Sequence, residues 1–159
     1  AYLIIEQQVS FKAAITIKKR FIQKVENLTN DQVIELDDRD LQSVGISYRK
    51  AIYIKNVFKY FKNNNYDYIN ATNQEVIIEL TKIKGIGVWS SEMFLMFVLM
   101  RINIFSKGDL ALMNSIKINY KIDIKDDYKL NSLVDSWSPY KSVASLLLWK
   151  SIEEKYFFT

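Results

Sequence analysis

The sequence predicts an all-α protein, and three features of the chain support this fold class. Apolar residues recur at three- and four-residue spacing, which is the period of a helix with one buried face. Polar residues that can cap helices precede several of these segments. Only one proline occurs among the 159 residues, and it lies where a helix is predicted to start.

The first 65 residues predict five helices, of which the first runs into residues 6–9. Polar capping residues precede the second, third and fifth helices: Ser10, Asn30 or Asp31, and Ser47. The buried faces of the second and fifth helices repeat at helical spacing: Ala14, Ile17 and Phe21, then Ala51, Ile54, Phe58 and Phe61. The third helix ends near Leu36. The short fourth helix covers residues 37–44 and ends at Gly45, because glycine readily adopts the conformation that closes a helix.

The rest of the chain is also predicted to be helical. Residues 72–83 form a helix, and a strand over residues 76–78 is the alternative that lacks the required alternation. Residues 84–87 interrupt the chain, and residues 88–100 form a helix that is apolar nearly all round and therefore central. Asp109 caps the next helix, and residues 126–137 form another. Ser138 caps the last helix, with Pro139 at its first position.

Composition restricts the chemistry that this chain can perform. Cysteine and histidine are absent, which excludes disulfides, thiolate zinc sites, iron–sulfur clusters and histidine acid–base catalysis within it. Catalysis would therefore depend on carboxylates, Lys, Tyr, Ser, Thr or the backbone. The net charge of +4 suits a partner with phosphates without requiring one.

The chain is expected to form one domain over residues 1–159. It begins with apolar residues 2–5 and no capping residue before them, which predicts that its N-terminus is truncated within a helix. The longest apolar run, residues 93–100, is too short to cross a bilayer. We expect a cytoplasmic monomer with no membrane contact.

Residues 80–93 carry the most informative motif, two helices joined by a hairpin with glycine at alternate positions. Gly85 and Gly87 lack side chains, so another backbone can approach closely. The N–H groups at the start of the second helix would point outward with partial positive charge, where a DNA phosphate fits. Such a contact positions a protein on DNA without reading sequence. The alternative is an ordinary helical hairpin with a glycine turn.

The hairpin and four other segments together resemble the HhH-GPD superfamily of DNA glycosylases, with closest similarity to the DNA-3-methyladenine glycosylase II branch. The other segments are Glu6–Ser10, Gly45–Ile54, Gly108–Leu112 and Trp137–Trp149. The resemblance implies a two-lobed all-α fold with a helix-hairpin-helix motif at about residues 73–100. It also implies a C-terminal helical lobe at about residues 109–159 and DNA held between the lobes.

The same resemblance implies that Asp109 is the catalytic carboxylate. Cleavage of an N-glycosidic bond builds positive charge on the sugar, which a nearby carboxylate stabilises while water attacks. The alternative is that Asp109 is only a helix cap. Trp89 occupies the position where bifunctional relatives carry a nucleophilic lysine, so the resemblance predicts direct hydrolysis without lyase chemistry.

Further roles follow from the resemblance by position. Trp89, Met93 and Trp149 would line a pocket for the flipped base. Core packing is the alternative for Trp89 and Trp149, and it explains Trp149 equally well. Gln8 would be the wedge that fills the gap left by that base, with a solvent-facing helix end as the alternative. The proposed DNA-binding residues are Lys84, Gly85, Gly87, Val88, Trp89 and Gln8. No cofactor is required, but the backbone carbonyls of Thr81, Ile83 and Ile86 could hold Na⁺ or K⁺.

The sequence therefore predicts a monofunctional base-excision-repair glycosylase that removes alkylated, 3-methyladenine-type purines from double-stranded DNA. One alternative is a glycosylase for another damaged or mismatched base. A second is a helix-hairpin-helix module that binds DNA without catalysis, and a third is a helical protein–protein module.

Overall fold

The computed structural model describes residues 1–157, with no side-chain description at position 11 or at positions 153–157. The described chain contains ten α-helices and no strand, which confirms the predicted all-α class. In chain order the helices are α1 (Tyr2–Glu6), α2 (Phe11–Val25), α3 (Asn30–Glu35), α4 (Asp38–Gln42), α5 (Tyr48–Asn63), α6 (Asn73–Thr81), α7 (Val88–Phe97), α8 (Leu110–Tyr120), α9 (Asp127–Ser136) and α10 (Lys141–Phe157).

Two compact units make up the chain, Ala1–Ser91 and the segment from Glu92 onward, and the boundary falls inside α7. The first unit has a core that draws on α1, α2, α4 and α5: Ile4, Ile5, Phe21, Leu41, Ala51 and Ile54. The second unit has a core from α8, α9 and α10: Leu112, Met113, Ile116, Leu130, Val134 and Leu148. No helix in the described part of the chain is both long enough and apolar enough to span a membrane.

Most of the predicted caps are present. Ser10 and Ser47 accept hydrogen bonds from backbone N–H groups three residues later, each at 3.3 Å. The predicted cap of α3 at Asn30 or Asp31 is wrong, because Thr29 caps this helix. The Thr29 hydroxyl accepts from the Gln32 N–H at 3.3 Å, and the Gln32 side chain accepts from the Thr29 N–H at 2.8 Å. This reciprocal pair places Asn30 and Asp31 inside the first turn.

The predicted start of the last helix is also wrong. The Ser138–Pro139 peptide bond is cis, and α10 begins at Lys141, with the Tyr140 carbonyl accepting its first hydrogen bond from Ala144. The Ser138 N–H instead bonds back to the Asp135 carbonyl at 3.1 Å, which leaves Ser138 in the turn that closes α9.

The hairpin helices lie where the sequence places them. Residues 76–78 belong to α6, so the strand alternative is excluded. Helix α7 ends at Phe97, three residues earlier than predicted, because Met100 adopts a left-handed conformation and the Arg101 N–H bonds back to the Leu95 carbonyl at 2.9 Å. The expectation that α7 is central holds only in part, since Val88 is 55% exposed and Phe97 is 49% exposed.

Candidate functional site

The turn between α6 and α7 is shaped by Gly85. Its φ of +109° lies in the region that favours glycine, and a Cβ atom built there would lie 2.3 Å from Cγ of Tyr53 on α5. The Asn56 side chain donates a hydrogen bond to the Lys84 carbonyl at 3.3 Å. Ile86 packs against the core of the first unit. The hairpin therefore has a fixed conformation because its backbone is packed directly on α5.

The second hairpin glycine lies in a different environment. The Gly87 carbonyl accepts the first hydrogen bond of α7, from Ser91 at 3.0 Å, which places Gly87 at the N-cap. A Cβ atom built on Gly87 would meet no atom within 4 Å in the described part of the chain, and both Gly87 and Val88 are exposed. The first N–H groups of a helix have no partner inside the helix and carry partial positive charge. This end of α7 is therefore accessible to an anion.

The turn between α1 and α2 is bonded to the hairpin through Gln7, a link that the sequence did not reveal. The Gln7 side-chain amide donates to the Gly85 carbonyl at 3.2 Å and to the Ser90 hydroxyl at 3.1 Å. The Lys50 ammonium on α5 donates to the carbonyls of Ile5 and Gln7, and burial lowers the pKa of Lys50. The Gln7 bonds hold the α1–α2 turn against the hairpin, and the Lys50 bonds hold it against α5.

Gln8 follows directly in this turn and is exposed. Its φ of +55° is uncommon for a residue with a side chain. Such a conformation persists only where the surroundings enforce it, and the bonds made by Gln7 and Lys50 supply that constraint. The structure therefore places the residue predicted as the wedge on an accessible and conformationally fixed turn.

Asp109 lies in the second unit and is 8% exposed. It caps α8, as predicted, because its Oδ1 atom accepts from the Leu112 N–H at 2.8 Å. The same oxygen accepts from the indole N–H of Trp149 on α10 at 3.2 Å. One carboxylate therefore caps α8 and also accepts a hydrogen bond from the indole. The structural and the catalytic interpretations of Asp109 are compatible.

The other two residues predicted for the base pocket are placed differently from Trp149. Trp149 is half-buried, with its ring centroid 6.0 Å from that of Phe97. Met93 is 3% exposed and therefore packs inside the protein. Trp89 is half-buried in the first turn of α7 and belongs to the first unit. Within the second unit the structure brings Trp149 together with Asp109.

The loop that carries Asp109 is fixed by side chains that the sequence prediction did not single out. The Ser142 hydroxyl on α10 donates to the Arg101 carbonyl at 2.7 Å and accepts from the Ile104 N–H at 3.0 Å. Fully buried Ser106 donates its hydroxyl to the Glu92 carboxylate. Ser142 lies in the segment Trp137–Trp149, one of those on which the resemblance rests. That resemblance was the only sequence feature that pointed to Ser142.

The carbonyls predicted for a monovalent cation lie at the C-terminal end of α6 and in the hairpin. The Ile83 carbonyl already accepts from the Ile86 N–H at 2.9 Å and keeps a second lone pair, while Thr81 is the last residue of α6. Among the described residues, no group of three or more His, Cys, Asp or Glu could hold a metal ion.

The fold, the contacts of the hairpin and the contacts of Asp109 define a class of protein. It is all-helical, with a helix-hairpin-helix motif and a buried aspartate that accepts a hydrogen bond from an indole. A model of the HhH-GPD superfamily, described as base excision DNA repair proteins, matches residues 1–139. The chain belongs to this superfamily.

Individual relatives agree with this assignment. The Bacillus subtilis protein YfjP is 32% identical over 94% of this chain. The DNA-3-methyladenine glycosylase of Saccharomyces cerevisiae is 30% identical over 94% of the chain. The structure of the 3-methyladenine DNA glycosylase Mag1 of Schizosaccharomyces pombe, in complex with abasic DNA, superimposes with a TM-score of 0.85 at 26% identity. That match covers 96% of this chain and 78% of the Mag1 chain.

The chain is shorter than the curated relatives. It spans 56% of YfjP and 64% of the Saccharomyces cerevisiae glycosylase. The activity of a whole protein of this kind is therefore a proposal for the present chain.

Proposed function

We propose that this chain is a DNA glycosylase that hydrolyses the N-glycosidic bond of an alkylated, 3-methyladenine-type purine in double-stranded DNA. The observation that carries the proposal is the buried carboxylate of Asp109, which is oriented by the Leu112 N–H and by the indole of Trp149. Membership of the superfamily and the names of the glycosylases that the chain resembles support this choice.

Asp109 suits the charge that develops during this reaction. As the bond between C1′ and the base nitrogen breaks, the electron pair leaves with the base and positive charge builds on the sugar. A preorganised carboxylate stabilises that charge more in the transition state than in the ground state. Water then adds to C1′ and loses a proton. A purine alkylated at a ring nitrogen is already cationic and leaves as a neutral base, so the site needs no separate acid for departure.

The aromatic residues provide flat surfaces for the base. Trp149 lies beside Asp109. By the resemblance to the superfamily, Trp89 occupies the position of the nucleophilic lysine in bifunctional relatives. A cationic purine stacked on an indole gains about 0.5–2 kcal/mol through cation–π attraction. With tryptophan in place of lysine, no Schiff base forms at this position, so the sugar–phosphate strand should remain intact after the base is removed.

The hairpin accounts for binding of the DNA backbone. The exposed start of α7 offers N–H groups to a phosphate, and Lys84 lies in the same turn as an exposed cation. A monovalent cation on the carbonyls of Thr81, Ile83 and Ile86 would suit the partial negative charge at the end of α6 and would add positive charge beside the phosphate.

Replacement of Lys84 by alanine should weaken DNA binding equally on damaged and undamaged duplexes. The reason is that a phosphate contact contributes through counterion release and does not read the base. Binding measured over a series of salt concentrations should show a slope of log K against log salt that is smaller by about 1. An unchanged slope would remove Lys84 from the interface. Lys19→Ala on the exposed side of α2 is the matched control.

Replacement of Gln8 by alanine should impair base flipping without unfolding the protein, because Gln8 is exposed. Unstacking a nucleotide costs a few kcal/mol, and a wedge recovers part of this, so excision should slow by about tenfold. The fluorescence of 2-aminopurine placed beside the lesion should rise less on binding than with the unmodified protein. Gln23→Ala, an exposed glutamine on α2, is the control, and equal fluorescence in both variants would exclude the wedge role.

The proposed activity is tested by an excision assay on duplexes that carry methylated, deaminated or etheno purines. We expect release of the alkylated base, with strands that break only after treatment with alkali. Strand breakage without alkali would contradict direct hydrolysis. DNA binding without release of any base would instead favour a non-catalytic helix-hairpin-helix module.

A further inference from the structure

A second acidic residue, Glu92 on α7, is connected to Asp109 by a short chain of hydrogen bonds. The Ser106 hydroxyl donates to Oε2 of Glu92, and the Ser106 carbonyl accepts from the Asp109 backbone N–H at 3.2 Å. Ser106 is fully buried. One residue, Ser106, therefore links the Glu92 carboxyl through its hydroxyl to the main chain of Asp109 through its carbonyl.

This link acts on the backbone N–H of Asp109, which precedes α8. The cap bond to Leu112 and the bond to Trp149 both hold the side chain of Asp109. Its backbone is extended, at φ −84° and ψ 110°, and its N–H precedes the hydrogen bonds of the helix. The direction of the Cα–Cβ bond, and hence of the carboxylate, depends on how the preceding loop is held.

The electrostatics show that Glu92 lies close enough to Asp109 to sense its charge. Burial of the Glu92 carboxyl raises its pKa, the hydrogen bond from Ser106 lowers it, and the negative charge of Asp109 raises it further. A second carboxyl near Asp109 is electrostatically unfavourable. The favourable interaction of Glu92 in this region is its hydrogen bond with Ser106, which helps to position the loop.

We propose that Glu92 is a positioning residue for Asp109, which acts by holding Ser106 and thereby the loop that leads into α8. Small errors in the position of a reacting group are costly, since a displacement of about 1 Å can reduce a rate by about 100-fold. The kinetic part of this inference rests on the proposed function, whereas the geometric part does not.

Three variants separate the positioning role from its alternatives. Glu92→Ala removes the acceptor for Ser106, Ser106→Ala removes the donor and keeps the carbonyl, and Glu92→Gln keeps an acceptor without the charge. In single-turnover excision we expect the two alanine variants to be slower by about 10- to 100-fold with unchanged DNA affinity. Glu92→Gln should retain most of the rate. Asp127→Asn, an exposed acid at the start of α9, is the control.

A second readout does not depend on catalysis. In ¹⁵N NMR spectra, the Trp149 indole N–H and the Asp109 amide report two of the hydrogen bonds that hold Asp109. Both signals should shift and exchange faster with solvent in Glu92→Ala, and both should stay near their original positions in Glu92→Gln. If the unmodified protein excises no base, the proposed function fails while these signals still decide the positioning role.

Two results would overturn the inference. One is unchanged exchange of the Asp109 amide in both alanine variants. The other is a Glu92→Gln variant as slow as Glu92→Ala, which would show that the charge of Glu92 matters instead of its contact with Ser106. If Glu92→Ala does not fold, Ser106→Ala and Glu92→Gln provide the same comparison.

Discussion

Replacement of Asp109 by asparagine should nearly abolish base excision while leaving the protein folded. The Asn side-chain oxygen can still accept from the Leu112 N–H and from the Trp149 indole, and asparagine caps helices as well as aspartate does. What is lost is the negative charge that faces the developing cation. We expect the excision rate to fall by about 100- to 1,000-fold, as for the loss of one preorganised electrostatic group elsewhere.

The comparison with Asp109→Ala separates catalysis from capping. Alanine removes both the charge and the cap, so the free energy of unfolding should fall by about 1 kcal/mol in addition to the loss of activity. Single-turnover excision and chemical denaturation should be measured on both variants. An asparagine variant that excises at the normal rate would leave Asp109 as a structural cap only.

Replacement of Gly85 by alanine should strongly destabilise the protein. The new Cβ atom would lie 2.3 Å from the Tyr53 ring, and the residue would have to keep a φ of +109°. Overpacking and backbone strain each cost about 1–3 kcal/mol, so the free energy of unfolding should fall by about 2–6 kcal/mol. DNA affinity should fall with it, because the hairpin can no longer pack on α5.

Gly87→Ala is the matched control for the fold and a separate test of the interface. Its Cβ atom would meet no described atom within 4 Å, so the free energy of unfolding should change by less than about 1 kcal/mol. The methyl group would nevertheless lie at the N-cap of α7, where a phosphate is proposed to approach. We expect weaker DNA binding with near-normal stability, and equal denaturation midpoints for the two alanine variants would contradict the described packing of Gly85.

Local signals in the sequence were sufficient to predict much of the fold. Helical periodicity predicts α5 and α6, and the capping chemistry of Ser10, Ser47 and Asp109 predicts where three helices begin. The failures are also local. Thr29 caps α3 because Gln32 completes a capping box, and Met100 ends α7 by adopting a conformation more typical of glycine.

The contacts that hold the hairpin in the first unit and Asp109 in the second could not be predicted in this way, because they join residues far apart in the chain. The bond from Gln7 to Gly85 joins residues 78 positions apart, and the bond from Trp149 to Asp109 joins residues 40 positions apart. No periodicity or cap specifies such pairs. The resemblance indicated Asp109 and Trp149 separately, and it did not indicate Glu92, whose role depends on Ser106.

Several expectations stay predictions. These are the preference for 3-methyladenine-type lesions, the monomeric state, the cytoplasmic location and the monovalent cation. The wedge role of Gln8 is compatible with its exposed, left-handed conformation, but the flipping assay is its test.

In the proposed mechanism, the Asp109 carboxylate faces the sugar of an extruded nucleotide. Binding to duplexes that carry either a neutral abasic-site analogue or a cationic pyrrolidine analogue of the sugar measures this arrangement. The unmodified protein should bind the cationic analogue at least about tenfold more tightly, because that analogue imitates the charge of the transition state, and Asp109→Asn should lose this preference. Equal affinities of the unmodified protein for the two duplexes, or a preference that persists in Asp109→Asn, would show that the carboxylate does not face the sugar.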